Sequence, residues 1–358
     1  MTTTAGPGRS PSSGPAVAGG SGTGGARQRT PVMADVARLA GVSHQTVSRV
    51  LNHHPNVTPE TRDRVQRAVA QLGYRRNRAA RALVTRRTGT IGVVSVYAAY
   101  YGPAKTLFGV EEAARAADHA VVFVAVEQVD RATMRAALDH LVEAEVDGIV
   151  VIAPTPAAVA AVAALAPEVP LVVTQALASD LPSVLIDQAR GARLATAHLL
   201  DLGHRTVHHV RGPETWFEAD ARARGWAEEL GRRGAVVAPA LGGDWSAESG
   251  YRAGQRLAAD AGVTAVFAAN DPMALGILRA LHEAGRAVPG EVSVVGFDDI
   301  PEAGYVVPPL TTVHQDFAEV GRRCLQLLTD LLAGGGARPV VVEPALVARA
   351  STAPPPAG

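Results

Sequence analysis

Between Ser43 and Asn52 the sequence reads SHQTVSRVLN. On a helix this stretch places Val47, Val50 and Leu51 on one side and His44, Gln45, Ser48 and Arg49 on the other. The polar side carries groups that match base edges. A guanidinium pairs with O6 and N7 of guanine, a carboxamide pairs with N6 and N7 of adenine, and an imidazole offers a donor or an acceptor. Side chains early in such a helix reach the floor of the major groove, so the segment reads as a recognition helix. The same residue types also suit an ordinary solvated face, and the surrounding charge weighs between the two. From Thr30 to Thr88 there are 11 arginines against three acids, a net charge of +8, in a chain whose 34 basic and 34 acidic residues otherwise cancel. A basic block of this kind is the footprint of a polyanion-binding module.

The elements that would hold this face are short. Ala34–Ala40 is predicted as a first helix, broken at Gly41 where a tight turn needs a permissive residue. Ser43 caps the second helix, and Thr58 with Pro59 at the first helical position starts a third that ends near Gly73. Residues 1–29 are Gly, Ser, Thr and Pro with scattered Arg, which makes a disordered tail. Gly20, Gly22 and Gly25 match a dinucleotide-loop spacing there, but with no strand before them and no helix after them the match reflects low complexity.

From Thr90 onward, apolar runs at 91–96, 121–126, 148–153, 171–174, 206–210, 265–269 and 292–297 alternate with helical stretches. Continuous apolar strands separated by helices imply parallel sheets covered on both faces. About 260 residues of this pattern exceed one open sheet, so two doubly wound subdomains with a cleft between them are expected. In such folds ligands sit at the C-terminal ends of strands. Asn270 and Asp271 follow one strand there, and Asp298 and Asp299 follow another.

Several classes are disfavoured. No charged leader precedes an apolar run and no long uninterrupted apolar window occurs, so a cytoplasmic protein without membrane partners is expected. Cys324 is the only cysteine and reads as a small core residue. His204, His208 and His209 lack a completing carboxylate or thiolate, so no metal or other cofactor is expected. No nucleophile elbow, zinc-hydrolase motif or phosphate loop is present, and the sole lysine, Lys105, lacks the glycine pattern of such a loop. Neighbouring Asp298 and Asp299 leave a strand pointing apart and cannot flank one glycosidic bond. The chain is therefore not read as an enzyme.

The run MADVARLAGVSHQTVSRVLN (33–52), followed by VTPETRDRVQRAVAQLGYRRN (57–77) and RAARALVTRRTGTIGVV (78–94), resembles the DNA-binding module of the lactose-repressor (LacI) family. Further motifs of that family continue in order: LLDLGHR (199–205), GDWSAESGY (243–251), AANDPMALGILRAL (268–281), VSVVGFDDI (292–300) and PPLTTVHQDF (308–317). The resemblance implies an all-α helix-turn-helix module at 30–75, a hinge helix at 76–88, and an effector-binding and dimerisation domain at 89–350. The last would be α/β, with two parallel-sheet subdomains like those of periplasmic binding proteins and chain crossings near 187 and 314. Residues 351–358 would be a second disordered tail. The Pro-rich end carries no leucine heptads, so a homodimer is expected rather than a tetramer.

What the resemblance implies for function is a repressor that binds palindromic double-stranded operator DNA and answers to a small sugar-like effector, with a galactoside as one candidate. A purine or phosphosugar corepressor is the alternative, and a sugar-binding transport protein is a weaker one. The DNA-contacting residues would be His44, Gln45, Thr46, Ser48, Arg49, Asn52, Asn56, Tyr74, Asn77, Arg78 and Leu83, with Leu83 wedging into the minor groove. In the cleft, Arg222, Asn270 and Asp298 would hold vicinal hydroxyls with Gln315 in support, while Trp245, helped by Phe317, would cover a sugar face. The chain departs from the family at Arg76, where proline is usual. It departs again at Thr174 and Gln175, where the member that names the family has an aspartate.

Overall fold

The computed structural model describes residues 31–51, 54–74, 87–165, 169–174 and 181–356, which fall into two compact units dividing after residue 77. The first unit is three helices: α1 (Met33–Ala40), α2 (His44–Leu51) and α3 (Pro59–Leu72). Local chemistry sets their ends. Gly41 and Gly73 close α1 and α3 at φ of 62° and 61°, where a side chain would be strained. The Ser43 hydroxyl accepts from the Thr46 N–H at 3.1 Å, and the Thr58 hydroxyl accepts from the Thr61 N–H at 3.4 Å. Val36, Val47 and Val65 are fully enclosed at the centre, with Ala37, Ala40, Val50 and Ala68 around them.

The second unit begins with β1 (Thr90–Val96), α4 (Tyr101–Ala116), β2 (Ala120–Val126), α5 (Arg131–Glu143), β3 (Gly148–Ile152), α6 (Pro156–Ala163), β4 (Leu171–Thr174) and β5 (Ser183–Ile186). It continues through α7 (Gln188–Asp201), β6 (His208–Arg211), α8 (Phe217–Arg232), β7 (Leu241–Gly242), α9 (Ala247–Ala258), β8 (Ala265–Ala268), α10 (Asp271–Glu283) and β9 (Ser293–Val295). The last elements are β10 (Thr312–His314), α11 (Phe317–Leu332), β11 (Val340–Val342) and β12 (Ala345–Val347). One parallel sheet has the order β11-β5-β4-β3-β1-β2 and the other β7-β6-β8-β9. Strand β1 shows why its sequence is apolar throughout. Ile91 and Val93 pack under α4 and α11, while Val94 and Val96 pack under α5.

The second sheet is covered in the same way, by α7 and α8 against Phe267 and Phe297 and by α9 and α10 against Val266 and Val294. Strands β10 and β12 form an antiparallel pair, joined to β9 through the bridges Val295 to Thr311 and Asp298 to His314. Because β11 lies beside β5 and β12 lies beside β10, the chain passes between the subdomains a third time after Val342. That passage is a correction to the two crossings expected from sequence, and strands of three residues are too short to carry a periodic signal.

The expected disordered tail at 351–358 also needs correction over 351–356. Ser351 is fully buried, accepts from the Thr311 N–H at 2.8 Å and donates to the Val294 carbonyl at 2.6 Å, and Ala353 N–H donates to the Ser293 hydroxyl at 3.0 Å. The segment satisfies the open edge of β9, so its role lies in backbone hydrogen bonds that composition does not display.

Candidate DNA-reading helix and ligand cleft

In the first unit, His44, Gln45 and Arg49 are exposed and Thr46 and Ser48 half-buried, while Val47 and Val50 turn into the core. The Thr46 hydroxyl is 2.9 Å from that of Ser43, which ties it to the cap of α2. Asn56 is exposed on the loop before α3, and Tyr74 packs partly buried against the helical core. Arg62 steadies that loop by donating to the His54 carbonyl at 3.1 Å. Asn52, Asn77, Arg78 and Leu83 lie outside the described residues, as does nearly all of the expected hinge at 76–88.

In the second unit a closed ring of side chains joins the two subdomains. Arg222 on α8 donates through Nε to Gln188 Oε1 at 2.9 Å, and Gln188 donates to Gln315 Oε1 at 2.8 Å. Gln315 donates to Asp298 Oδ1 at 2.7 Å, and Asp298 Oδ1 stands 3.6 Å from Arg222 Nη2. All four residues are buried. Further partners help to offset the cost of burying this charge pair: Arg222 also donates to the Ala269 carbonyl and lies 3.8 Å over the Phe297 ring. Gln188 opens α7 at one crossing and Gln315 precedes α11 at another, so the ring spans two of the connections between the subdomains. Sequence reasoning missed Gln188, because β5, the strand before it, is only four residues long.

A small cavity adjoins the ring. Gly102, Thr106, Ile152 and Thr174 line it from the first subdomain, Glu218 and Arg222 line it from the second, and Gln188, Gln315 and Phe317 line it from the crossings. Three of the six expected ligand residues therefore stand in its wall: Arg222, Gln315 and Phe317. Asp298 stands behind the first two. Asn270 is not in the wall: its Oδ1 accepts from the Met273 N–H at 2.9 Å to cap α10, and its Nδ2 donates to the Trp245 carbonyl at 3.0 Å. Trp245 is buried, with Arg222 5.5 Å from its ring, and is not in the cavity wall. Asp299 is held by Arg349 at 2.6 Å and His314 at 3.0 Å, as a loop ligand.

An aromatic cluster that sequence reasoning did not assemble closes one side of the cleft. Tyr97 stacks on Trp216 with centroids 5.6 Å apart, Tyr100 meets Trp216 edge-on at 5.2 Å, and Trp216 meets Trp245 edge-on at 5.6 Å. The tyrosines come from the β1–α4 connection and the tryptophans from the second subdomain, so the cluster bridges the two. Tyr97, Trp245, Asp298 and Asp299 all hold positive φ, between 56° and 115°. Backbone held in this costly region gathers at functional sites and persists where surrounding packing enforces it.

Burial governs the acids. Asp298 is pushed up to about 6, with Arg222 and Gln315 pulling the other way, and Glu218 is pushed up to about 7. Asp271, which accepts from the Thr312 hydroxyl at 2.6 Å and the Ile300 N–H at 2.9 Å, is pushed up to about 8 by burial and by Asp298. An acid that ionises later in the folded chain than in the unfolded one stabilises the fold while it stays protonated, and that stability is lost as pH rises through the folded value. The contribution of Asp271 to the thermal stability of the α/β unit should therefore decline as pH rises from about 4 toward 8, while His209, held neutral in the fold, contributes in the opposite sense below its ordinary value. Asp271→Asn should flatten that decline, as read by melting temperature at half-unit pH steps. An unaltered slope in the variant would remove Asp271 as its source.

His204 and His209 are structural. His204 meets the hydroxyls of Thr264 and Ser293 at 2.9 and 3.1 Å, and His209 lies 2.9 Å from the Phe267 carbonyl with its pKa driven down to about 3 by burial. Cys324 is buried, and its thiol is pushed up to about 12. No described helix is long and apolar enough to cross a membrane.

Comparison with known proteins bears on both units. Residues 32–77 match the profile of bacterial regulatory proteins of the lacI family, and residues 196–352 match that of the periplasmic binding protein-like domain. The HTH-type transcriptional regulator CelR of Thermobifida fusca is 37% identical over 349 residues, covering 91% of this chain and 99% of its own. A lac repressor dimer bound to operator and the anti-inducer ONPF superposes with a TM-score of 0.73 at 33% identity, over 91% of this chain and 100% of that one. A CelR–cellobiose complex superposes with a TM-score of 0.66 at 32% identity, over 90% and 99% of the two chains.

Proposed function

The chain is a DNA-binding transcriptional repressor of the LacI family, and we propose that a neutral sugar seated between its subdomains lowers its affinity for a palindromic operator. The observation that carries this reading is the Arg222–Gln188–Gln315–Asp298 ring at the cleft. Forked and planar groups of this kind match paired hydroxyls, and their place on the crossings lets a ligand favour one arrangement of the subdomains over another. Relatives of similar fold include one solved with cellobiose and one solved as an operator-bound dimer.

The test begins with selection of binding sites from random duplex DNA, where a palindromic consensus is expected. The selected duplex, fluorescently labelled, is then titrated with cellobiose, lactose, glucose 6-phosphate and hypoxanthine while anisotropy is followed. Release by a disaccharide supports the proposal. Tighter binding in the presence of the purine or the sugar phosphate, with no release by either disaccharide, would replace it with the corepressor reading.

Within the same assay, Arg49→Ala should cost about 1–3 kcal/mol at one base position and relax specificity there, since a bidentate pair discriminates by about that amount. Equal weakening on all sequences would assign Arg49 to a phosphate instead.

A further inference from the structure

Arg222 already has a buried counter-charge in Asp298, so a second carboxyl in the same wall needs another reason to be there. Glu218 stands one helical turn before Arg222 on α8 and lines the cavity with it. The residue as a whole is only partly buried, but its Oε2 is enclosed and has no hydrogen-bond partner among the described residues. Across the cavity, the Thr174 hydroxyl on β4 is likewise enclosed and unpartnered. Buried polar atoms without partners are rare because each costs the full loss of hydration. Other such atoms occur among the described residues, but these two share the walls of one cavity, where a ligand hydroxyl can reach both.

We propose that Glu218 is a specificity-determining contact, accepting a hydrogen bond from a hydroxyl of a neutral polyhydroxylated effector and excluding phosphorylated or carboxylated ones. The proposal rests on the sugar-effector reading and narrows it. With Arg222 matched by Asp298, an ionised Glu218 leaves the cavity one negative charge in excess. An anionic ligand would then meet like charge in a poorly screened site, whereas a hydroxyl meets a strong acceptor. The charged and titratable groups that bear on Glu218 are Arg222 on its own helix and Asp298 after β9. Burial holds the Glu218 carboxyl up to about 7. A ligand hydroxyl that donates to the carboxylate therefore binds more tightly as pH rises through 7.

The experiment uses the full-length protein and follows its intrinsic tryptophan fluorescence, to which Trp216, Trp226 and Trp245 contribute, during titration with cellobiose, lactose and glucose 6-phosphate. Wild type and Glu218→Gln are compared at pH 6.5 and 8. Gln keeps the size of the side chain and removes only its charge. Wild type should bind a disaccharide and reject the phosphate. The variant should bind that disaccharide about 10-fold or more weakly, lose the rise in affinity between pH 6.5 and 8, and gain affinity for glucose 6-phosphate. Matching melting temperatures would show that the fold is intact, and a melt displaced in the variant is bypassed by Glu218→Asp, which keeps the charge and should still reject the phosphate. Disaccharide affinity and pH dependence unchanged in Glu218→Gln would overturn the role of Glu218 and leave the sugar reading standing. Binding of glucose 6-phosphate by wild type in preference to both disaccharides would overturn the sugar reading and this inference together.

Discussion

Asp298→Asn is expected to yield a repressor that holds its operator as the parent does and no longer lets go when sugar is added. Asparagine keeps the size of the side chain, tolerates the positive φ of 115° better than most residues, and leaves Oδ1 free to accept from Gln315. What disappears is the charge facing Arg222 at 3.6 Å. Asp298 anchors Gln315 and the Arg222 guanidinium from behind the cavity wall, and its carboxylate holds both more strongly than an amide would, so loosening these two wall groups should lower effector affinity by about 1.5–3 kcal/mol, roughly 10- to 150-fold. Leaving one partner of a buried pair uncompensated also costs stability, by about 3–5 kcal/mol when nothing else answers the charge. Here Glu218 lies one turn away on the same helix and its field already favours the charged form of Arg222, so the loss should be smaller.

An effector moves the operator equilibrium only by its difference in affinity between two states, and that difference is what the substitution removes. The check is operator anisotropy titrated with whichever disaccharide releases wild type, alongside a thermal melt of both proteins. Release of the variant at the parent's sugar concentration would sink the assignment of Asp298 to the ligand site. Loss of operator binding in the sugar-free variant would make its role structural.

How much of this was legible beforehand follows from how local each signal is. The caps of the DNA-binding helices were readable because Ser43, Gly41, Thr58 and Gly73 act on residues two to four positions away. The long apolar strands were readable because sheets buried on both faces need continuous apolar runs. Gln188 was not, since its meaning comes from Gln315, 127 residues further on. Glu218 reads in sequence as a helix N-terminal acid and becomes notable only once its Oε2 is seen enclosed and unpartnered. Asn270 shows a structural use that its place after a strand does not reveal: its side chain caps α10 and donates to the Trp245 carbonyl. The aromatic bridge escaped because Tyr97 and Tyr100 belong to one loop and Trp216 to another, and these meet only when the two sheets are assembled.

The largest loss of stability is expected from Gly321→Val, at the crossing of α4 and α11. A Cβ on Gly321 would lie 2.1 Å from the backbone carbon and oxygen of Gly109, and one on Gly109 would lie 2.2 Å from the Phe317 carbonyl oxygen. Both glycines have ordinary helical backbone, so what they supply is space rather than conformational freedom. Backbone atoms cannot rotate aside as a flexible side chain can, so the helices must separate. Separation would strip contacts from Val110, Val320, Cys324 and Leu328, which are buried between these helices and the first sheet. Overpacking costs about 1–3 kcal/mol where side chains can yield, and a backbone clash should reach or exceed the upper figure. For a domain of this size, about 3 kcal/mol lowers the melting temperature by roughly 6–12 °C. Because α11 starts two residues after Gln315, the same displacement should loosen the cleft ring and weaken effector binding. Gly231→Ala is the matched control, since nothing lies within 4 Å of its added carbon and it sits near the end of α8. That control should melt at or slightly above the parent. A Gly321→Val protein melting within about 2 °C of the parent would show that the two helices have room to part, and that their close approach does not hold the first subdomain together.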